Sequence, residues 1–258
     1  MKNSLKILQL LKYCLHSIIL SILPNKTIKL LANSLWTKSI RDLFFRPKGM
    51  PEIYKKKICY FQYSLVVSCP LQILYKAEKK GIEPSLSRLI MNELSIGDIC
   101  IDVGASYGFI TMMMAATVGN KGHVFSFEAN ESIYSILEQN IDENNLKNIC
   151  TISNSFISNQ SRMIEKKLDD IIQINETKKI NLIKIDTDGS DYNCLLGASE
   201  LINFYMPIII IEINEFGEEI YDKLIDFGYS NFYDQHYNII SKNILPCNLI
   251  ASTKLLRK

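Results

Sequence analysis

The feature that most constrains this chain is a rhythm that begins at Gly97 and runs to residue 227. Short apolar, β-branched runs alternate with segments whose apolar residues recur every three to four positions. They read as strand 99–103, helix 107–117, strand 123–128, helix 131–143, strand 149–153, helix 165–174, strand 180–186, helix 191–203, strand 207–213 and helix 216–227. Strands separated by helices build a parallel sheet with helices on both faces. The expected fold is therefore α/β, a doubly wound, mostly parallel, Rossmann-like sheet. Two further strands near 231–240 and 248–253, joined by a Pro-containing turn, predict an antiparallel closing hairpin.

A chain of 258 residues can form one large core plus a short appendage. The appendage is expected at residues 1–50, as N-terminal helices, and the domain at 51–258, divided into a small β element at 51–80 and the Rossmann-like core at 81–258. The β element is read from the short aromatic and β-branched pattern between Ile58 and Tyr75, with Pro70 as punctuation. Residues 5–23 resemble a signal peptide or a spanning helix at first sight. Lys12 and His16 interrupt the run, no small-residue cleavage site follows, and its apolar length falls short of the roughly 20 residues a span needs. Leu8, Leu11, Leu15, Ile18, Ile19 and Ile22 instead share one face of an amphipathic helix, followed after Pro24 by a second apolar pattern through Ile28, Leu31, Leu35, Trp36 and Ile40. That face calls for a partner: internal packing, homodimerisation, or peripheral contact with a membrane surface.

Lysine and arginine exceed the acids by only two, so no strong field draws the chain to nucleic acid. Seven scattered cysteines without a C-x-x-C pair argue against a disulfide framework and against structural zinc, and Cys100 reads as a small core residue. A cytoplasmic location is expected, peripheral to the inner face of the membrane if the N-terminal helices lie on it.

The strongest constellation is GDICIDVGASYGFITMMMAA, where an apolar strand ends at Asp102-Val103-Gly104 and a helix begins near Gly108. Open α/β sheets bind ligands at the carboxyl ends of their strands, and glycine there lets the backbone approach closely. At the end of the next strand, 24 residues beyond Gly104, stands Glu128, where a carboxylate can accept both hydroxyls of a ribose. The loop reads D-x-G-x-x-x-G and lacks the first G-x-G of the dinucleotide fingerprint. Asp102 would repel a pyrophosphate but suits the ammonium of a methionine moiety, whose carboxylate the helix start can receive. The expected cofactor is S-adenosylmethionine, bound by Asp102, Gly104, Ala105, Ser106, Gly108 and Glu128, with Asn154 and Ser155 placed by position against the adenine. A nicotinamide-dependent oxidoreductase is the weaker enzyme alternative.

From Ile82 to about Asn214, roughly half of the chain, the sequence resembles the FkbM family of methyltransferases. The resemblance rests on IEPSLSRLIMNEL, DVGASYGFIT, VFSFEAN, LDDII, NLIKIDTDGSDYNCLLGA and PIIIIEIN, in that order. It departs from the family at Asp188 and Asp191, where glutamate is usual, at Ser106, where asparagine is usual, and at Ala129, where proline is common. The resemblance implies a class I methyltransferase sheet, O-methylation, and a hydroxyl on a small molecule or glycan as acceptor, with sugars of surface polysaccharide or glycolipid biosynthesis ahead of polyketides.

The strand INLIKIDTDG is expected to end beside the transferred methyl, because it adjoins the switch point of the sheet. Asp186, Asp188 and Lys184 are the catalytic candidates, although Lys184 and Asp186 share a face and can equally form a structural ion pair. Glu212 and Asn214 end the following strand and could join Asp186 around a divalent cation, which is allowed but not expected. His236, in NFYDQHYN, reads first as an exposed turn residue. DTDG stands where a nucleic-acid base methyltransferase would carry an N-P-P-Y-like segment. A non-catalytic binding or assembly subunit on the same fold is the remaining alternative.

Overall fold

The computed structural model describes residues 52–256 apart from 163–164 and 175–176, so the expected helices of residues 1–50 lie outside the described residues. The described chain opens with a hairpin, β1 (Ile53–Tyr60) and β2 (Tyr63–Pro70), paired antiparallel over its full length. Helix α1 (Leu71–Lys80) starts directly after Pro70, a residue that fits a helix entrance because it lacks an N–H. The β element expected at 51–80 is thus strand only to Pro70. Beyond it Leu74 and Ala77 point inward one turn apart, so the period is helical.

Helix α2 (Pro84–Glu93) leads into β3 (Ile99–Val103), α3 (Phe109–Val118), β4 (His123–Phe127), α4 (Glu131–Glu143) and β5 (Cys150–Ser153). Two short strands, β6 (Phe156–Ile157) and β7 (Glu165–Lys166), pair with each other before the single turn α5 (Leu168–Ile171). Then follow β8 (Leu182–Ile185), α6 (Asp191–Leu196), α7 (Ser199–Tyr205), β9 (Ile208–Glu212), α8 (Gly217–Asp226), β10 (Asn231–Tyr233) and β11 (Asn248–Ser252).

Seven strands form one sheet in the order β10-β11-β9-β8-β3-β4-β5, parallel except for β11 against its two neighbours. This is the doubly wound, mostly parallel sheet with an antiparallel closing pair that the sequence predicts. Residues alternate along the strands between two cores. Cys100, Val124, Leu182, Ile210 and Ile250 face one, packed under α2, α3, α4 and the hairpin. Ile101, Ile183, Ile209, Ile211 and Leu249 face the other, under α6, α7 and α8. The chain runs outward from β3 through β4 to β5, then returns to β8 on the opposite side. The switch point therefore lies between the carboxyl ends of β3 and β8.

Three elements differ from expectation. The helix expected at 165–174 is the short strand β7 and the single turn α5, where Asp169 spends its carboxylate on the N–H groups of Glu200 and Leu201 at the start of α7 (3.0 Å each). The helix expected at 191–203 divides at Gly197, where a Cβ would stand 2.0 Å from the Ser158 carbonyl oxygen and whose own carbonyl accepts Asp169 N–H. The strand expected at 231–240 stops at Tyr233, since Asp234 turns the chain by accepting from the backbone of His236 and Asn238 and from the Asn238 amide.

Candidate functional site

The loop after β3 is a backbone construction. Gly104 has φ +84° and packs so closely on β8 that a Cβ would lie 1.7 Å from the Asp186 carbonyl oxygen. The N–H groups of Gly104 and Ala105 both donate to Phe127 O, at 2.9 and 3.0 Å. Ser106, also in the left-handed region at φ 51°, donates its N–H to Glu128 Oε2 at 2.8 Å. Glu128 Oε1 accepts Asn130 N–H at 2.8 Å, while Asn130 caps α4 through Ser132 and Ile133. Glu128 is thus a fixed, largely buried carboxylate, each of whose oxygens keeps a lone pair for another donor.

At the floor of the loop Asp102 is fully buried on β3. Its Oδ2 accepts the Thr111 hydroxyl at 2.6 Å, and Thr111 accepts from Ser126. Its Oδ1 has no hydrogen bond among the described residues and lies 3.6 Å from Lys184 Nζ, within ion-pair distance. Lys184, 3% exposed, donates instead to Asp186 Oδ2 at 3.1 Å. Burial works against the Lys184 charge, but Asp102, Asp186 and Glu83 more than offset it and push its pKa up, so the ammonium is held. Lys184 is accordingly the cation of a buried ion-pair chain.

Asp186 itself faces Glu212 at the end of β9. Glu212 is pushed up to about 7, first by burial and then by the charge of Asp186. Asn214 donates to Glu212 and, at 3.4 Å, to Asp191. Among the described residues no group of three His, Cys, Asp or Glu side chains is placed to hold a metal ion. Asp191 is buried and spoken for: it accepts the Thr187 N–H and hydroxyl and the Gly189 N–H, closing the turn in which Asp188 stands exposed at φ 53°.

A cavity of about 490 Å³ joins these parts at the switch point. Asp102, Gly104, Ala105, Ser106, Glu128, Ser155, Lys184, Asp186 and Asp188 all line it. Two of the residues expected to bind the cofactor do not. Asn154 turns away, its amide donating to the carbonyls of Glu128 and Ala129 and so tying the ends of β4 and β5 together. Gly108 opens α3 at φ +84°, and its missing Cβ leaves room for Leu137 of α4, which would be 2.5 Å away. His236 lies on the Asp234 turn and does not line the cavity.

Sequence reasoning missed the opposite wall. Ile73 and Lys76 of α1, with Ile82 and Glu83 before α2, close the cavity over the glycine loop. The one available signal was the acid immediately before Pro84, at the entrance of a helix.

Residues 140–240 match the family model of the methyltransferase FkbM domain, and residues 54–155 match that of protein-L-isoaspartate(D-aspartate) O-methyltransferase. No curated protein matches the chain. Among solved structures it is similar to methyltransferase FkbM from Methylobacillus flagellatus, at 17% identity and TM-score 0.48, over 61% of this chain and 44% of that one. The chain therefore spans less than half the length of that relative. It is also similar to an S-adenosylmethionine-dependent O-methyltransferase from Thermotoga maritima, at 17% identity and TM-score 0.46, over 85% of this chain and 82% of the other. A third, an S-adenosylmethionine-dependent methyltransferase from Aquifex aeolicus, shares 17% identity at TM-score 0.43 over 65% of this chain and 89% of its own. The FkbM resemblance read from the motifs thus has a family match over residues 140–240, and the chain carries it on a mostly parallel seven-stranded sheet.

Proposed function

We propose that this protein is an S-adenosylmethionine-dependent methyltransferase acting on a hydroxyl of a small molecule or glycan, with a sugar of surface polysaccharide or glycolipid biosynthesis as the favoured acceptor. One observation carries the cofactor assignment: a fully buried Asp102 with an oxygen that accepts no hydrogen bond among the described residues, beneath a glycine loop at the other end of which Glu128 offers free lone pairs. That arrangement suits a ligand with a cationic end and a ribose. It does not suit a pyrophosphate, which would meet Asp102, Asp186 and Asp188.

The cofactor supplies an electrophilic methyl on a sulfonium. Around it Glu128 accepts the ribose hydroxyls, Asp102 faces the methionine ammonium, and the first turn of α3 receives the carboxylate. Lys184 holds the Asp186 carboxylate oriented from below. Asp186, next to a Glu212 that exchanges its proton near neutral pH, takes the proton of the acceptor hydroxyl. Among the described residues no helix is long and apolar enough to cross a membrane.

Calorimetric titration with S-adenosylmethionine, S-adenosylhomocysteine and NAD tests the reading, alongside a Glu128→Ala variant. The expected result is saturable binding of both adenosyl sulfur ligands and not of NAD, with affinity lost in the variant. Binding of NAD alone, or of nothing, would overturn it.

A further inference from the structure

The missed wall of the cavity holds a second carboxylate without a partner. Glu83 is held by its backbone: it sits in the left-handed region at φ 45°, its carbonyl accepts Ser87 N–H at 2.8 Å, and the preceding residue is fastened by the buried Tyr60. The Tyr60 hydroxyl donates to Ile82 O at 3.1 Å and accepts Ile82 N–H at 3.3 Å, while Ser87 Oγ donates to the same carbonyl at 2.8 Å. A non-glycine residue tolerates that conformation only where its surroundings fix it. From this anchored position Glu83 lines the cavity, and its Oε2 is shielded from solvent with no hydrogen-bond donor among the described residues.

Across the cavity is the other orphan, Asp102 Oδ1. Lys184 pairs with Asp102 by charge at 3.6 Å, outside hydrogen-bond reach, while its hydrogen bond goes to Asp186, so Asp102 Oδ1 still accepts no N–H among the described residues. Lys76 stands exposed at the rim. Burial pushes the Glu83 carboxyl up and the charge of Lys184 draws it down, with Asp186, Lys76 and Asp102 also acting on it, so these groups share one electrostatic neighbourhood. Two buried carboxylate oxygens without donors, facing one space, call for a ligand that is cationic and carries several N–H groups. A primary ammonium has both properties, whereas a sulfonium has the charge but no hydrogen to donate.

We propose that Glu83 and Asp102 together clamp the α-ammonium of the bound cofactor, Glu83 reaching it from the N-terminal wall and Asp102 from the end of β3. The inference rests on the S-adenosylmethionine reading and adds a residue that the glycine loop does not contain. It makes Glu83 selective for ligands that retain the amino-acid moiety, whether or not they carry the methyl.

The test is a calorimetric titration of the wild-type chain and a Glu83→Gln variant with three probes: S-adenosylmethionine, S-adenosylhomocysteine, and 5′-methylthioadenosine, which keeps the nucleoside and sulfur but lacks the ammonium. The variant is expected to bind the first two roughly tenfold or more weakly, the loss of a charge-assisted hydrogen bond, and the third unchanged. Equal weakening of all three would assign Glu83 a structural role and overturn the proposal. Weakening of S-adenosylmethionine alone would place Glu83 at the sulfonium and overturn it too, as would no weakening at all. A wild-type chain that binds none of the three overturns the cofactor reading itself, and this inference with it.

Discussion

The two walls of the cavity are built by different means. The strand-end wall, from the loop after β3 to the end of β8, is set by backbone: a glycine at φ +84°, paired N–H groups on Phe127 O, and a Glu128 carboxylate gripped by two main-chain donors. The N-terminal wall is set by side chains that imitate backbone. Asn140 of α4 accepts Ser68 N–H at 2.7 Å and donates to Ser68 O at 3.0 Å, and Asn144, one turn on, does the same for Val66 at 2.9 and 2.7 Å. Two amides thus pair the free side of β2 as a neighbouring strand would. Asn140 also donates to Tyr107 O at 2.9 Å, so the hairpin and the glycine loop share a fastening. A wall made from backbone tolerates few residue types, while one stitched by side chains depends on particular pairs far apart in sequence.

Gly104→Ala should break the strand-end wall outright. With its Cβ against a main-chain oxygen, the variant is expected to lose more than about 5 kcal/mol and with it cooperative unfolding, read by thermal denaturation. Lys184→Met comes next. It leaves the buried Asp102 and the half-buried Asp186 without their cation, at about 3 to 5 kcal/mol, and adding Asp102→Asn should recover part of that loss in chemical denaturation.

The side-chain wall yields more gently. Asn140→Ala and Asn144→Ala should each cost about 1 to 3 kcal/mol, but only the first should also weaken S-adenosylmethionine in calorimetry, since only Asn140 reaches the glycine loop. Equal affinities in the two variants would dissolve the link between the walls. The smallest effect belongs to Glu212. A carboxyl raised from 4.5 to about 7 stabilises the folded chain below 4.5 and loses that contribution as pH rises through 7. Unfolding midpoints of Glu212→Gln should therefore fall less over this window than those of the wild-type chain.

The contrast also explains what could be read in advance. Parallel strands buried on both faces leave long apolar runs, so β3, β4, β8 and β9 were legible within a residue or two, as was the switch point they imply. That Asp102, Gly104 and Glu128 would meet at the ends of neighbouring strands was legible too, because the tight turn after β3 and the end of β4 restrict which residues can stand there. The divided helix at Gly197 was not, because its cause is the Ser158 carbonyl, 39 positions away. Nor was α1, whose two inward residues, Leu74 and Ala77, are too few to set a period in advance.

By itself the sequence determined the sheet, its direction of winding and the acids of the glycine loop, since these follow from local periodicity and from the conformations a residue type permits. Only the tertiary structure decided which acids are spent and which are free. Asp191 is consumed by its own turn, Asn154 by the ends of two strands, and Lys184 by Asp186, whereas Asp102 Oδ1 and Glu83 Oε2 are left without donors. That distinction depends on distances between side chains brought together from separate elements, and a local sequence pattern does not contain them.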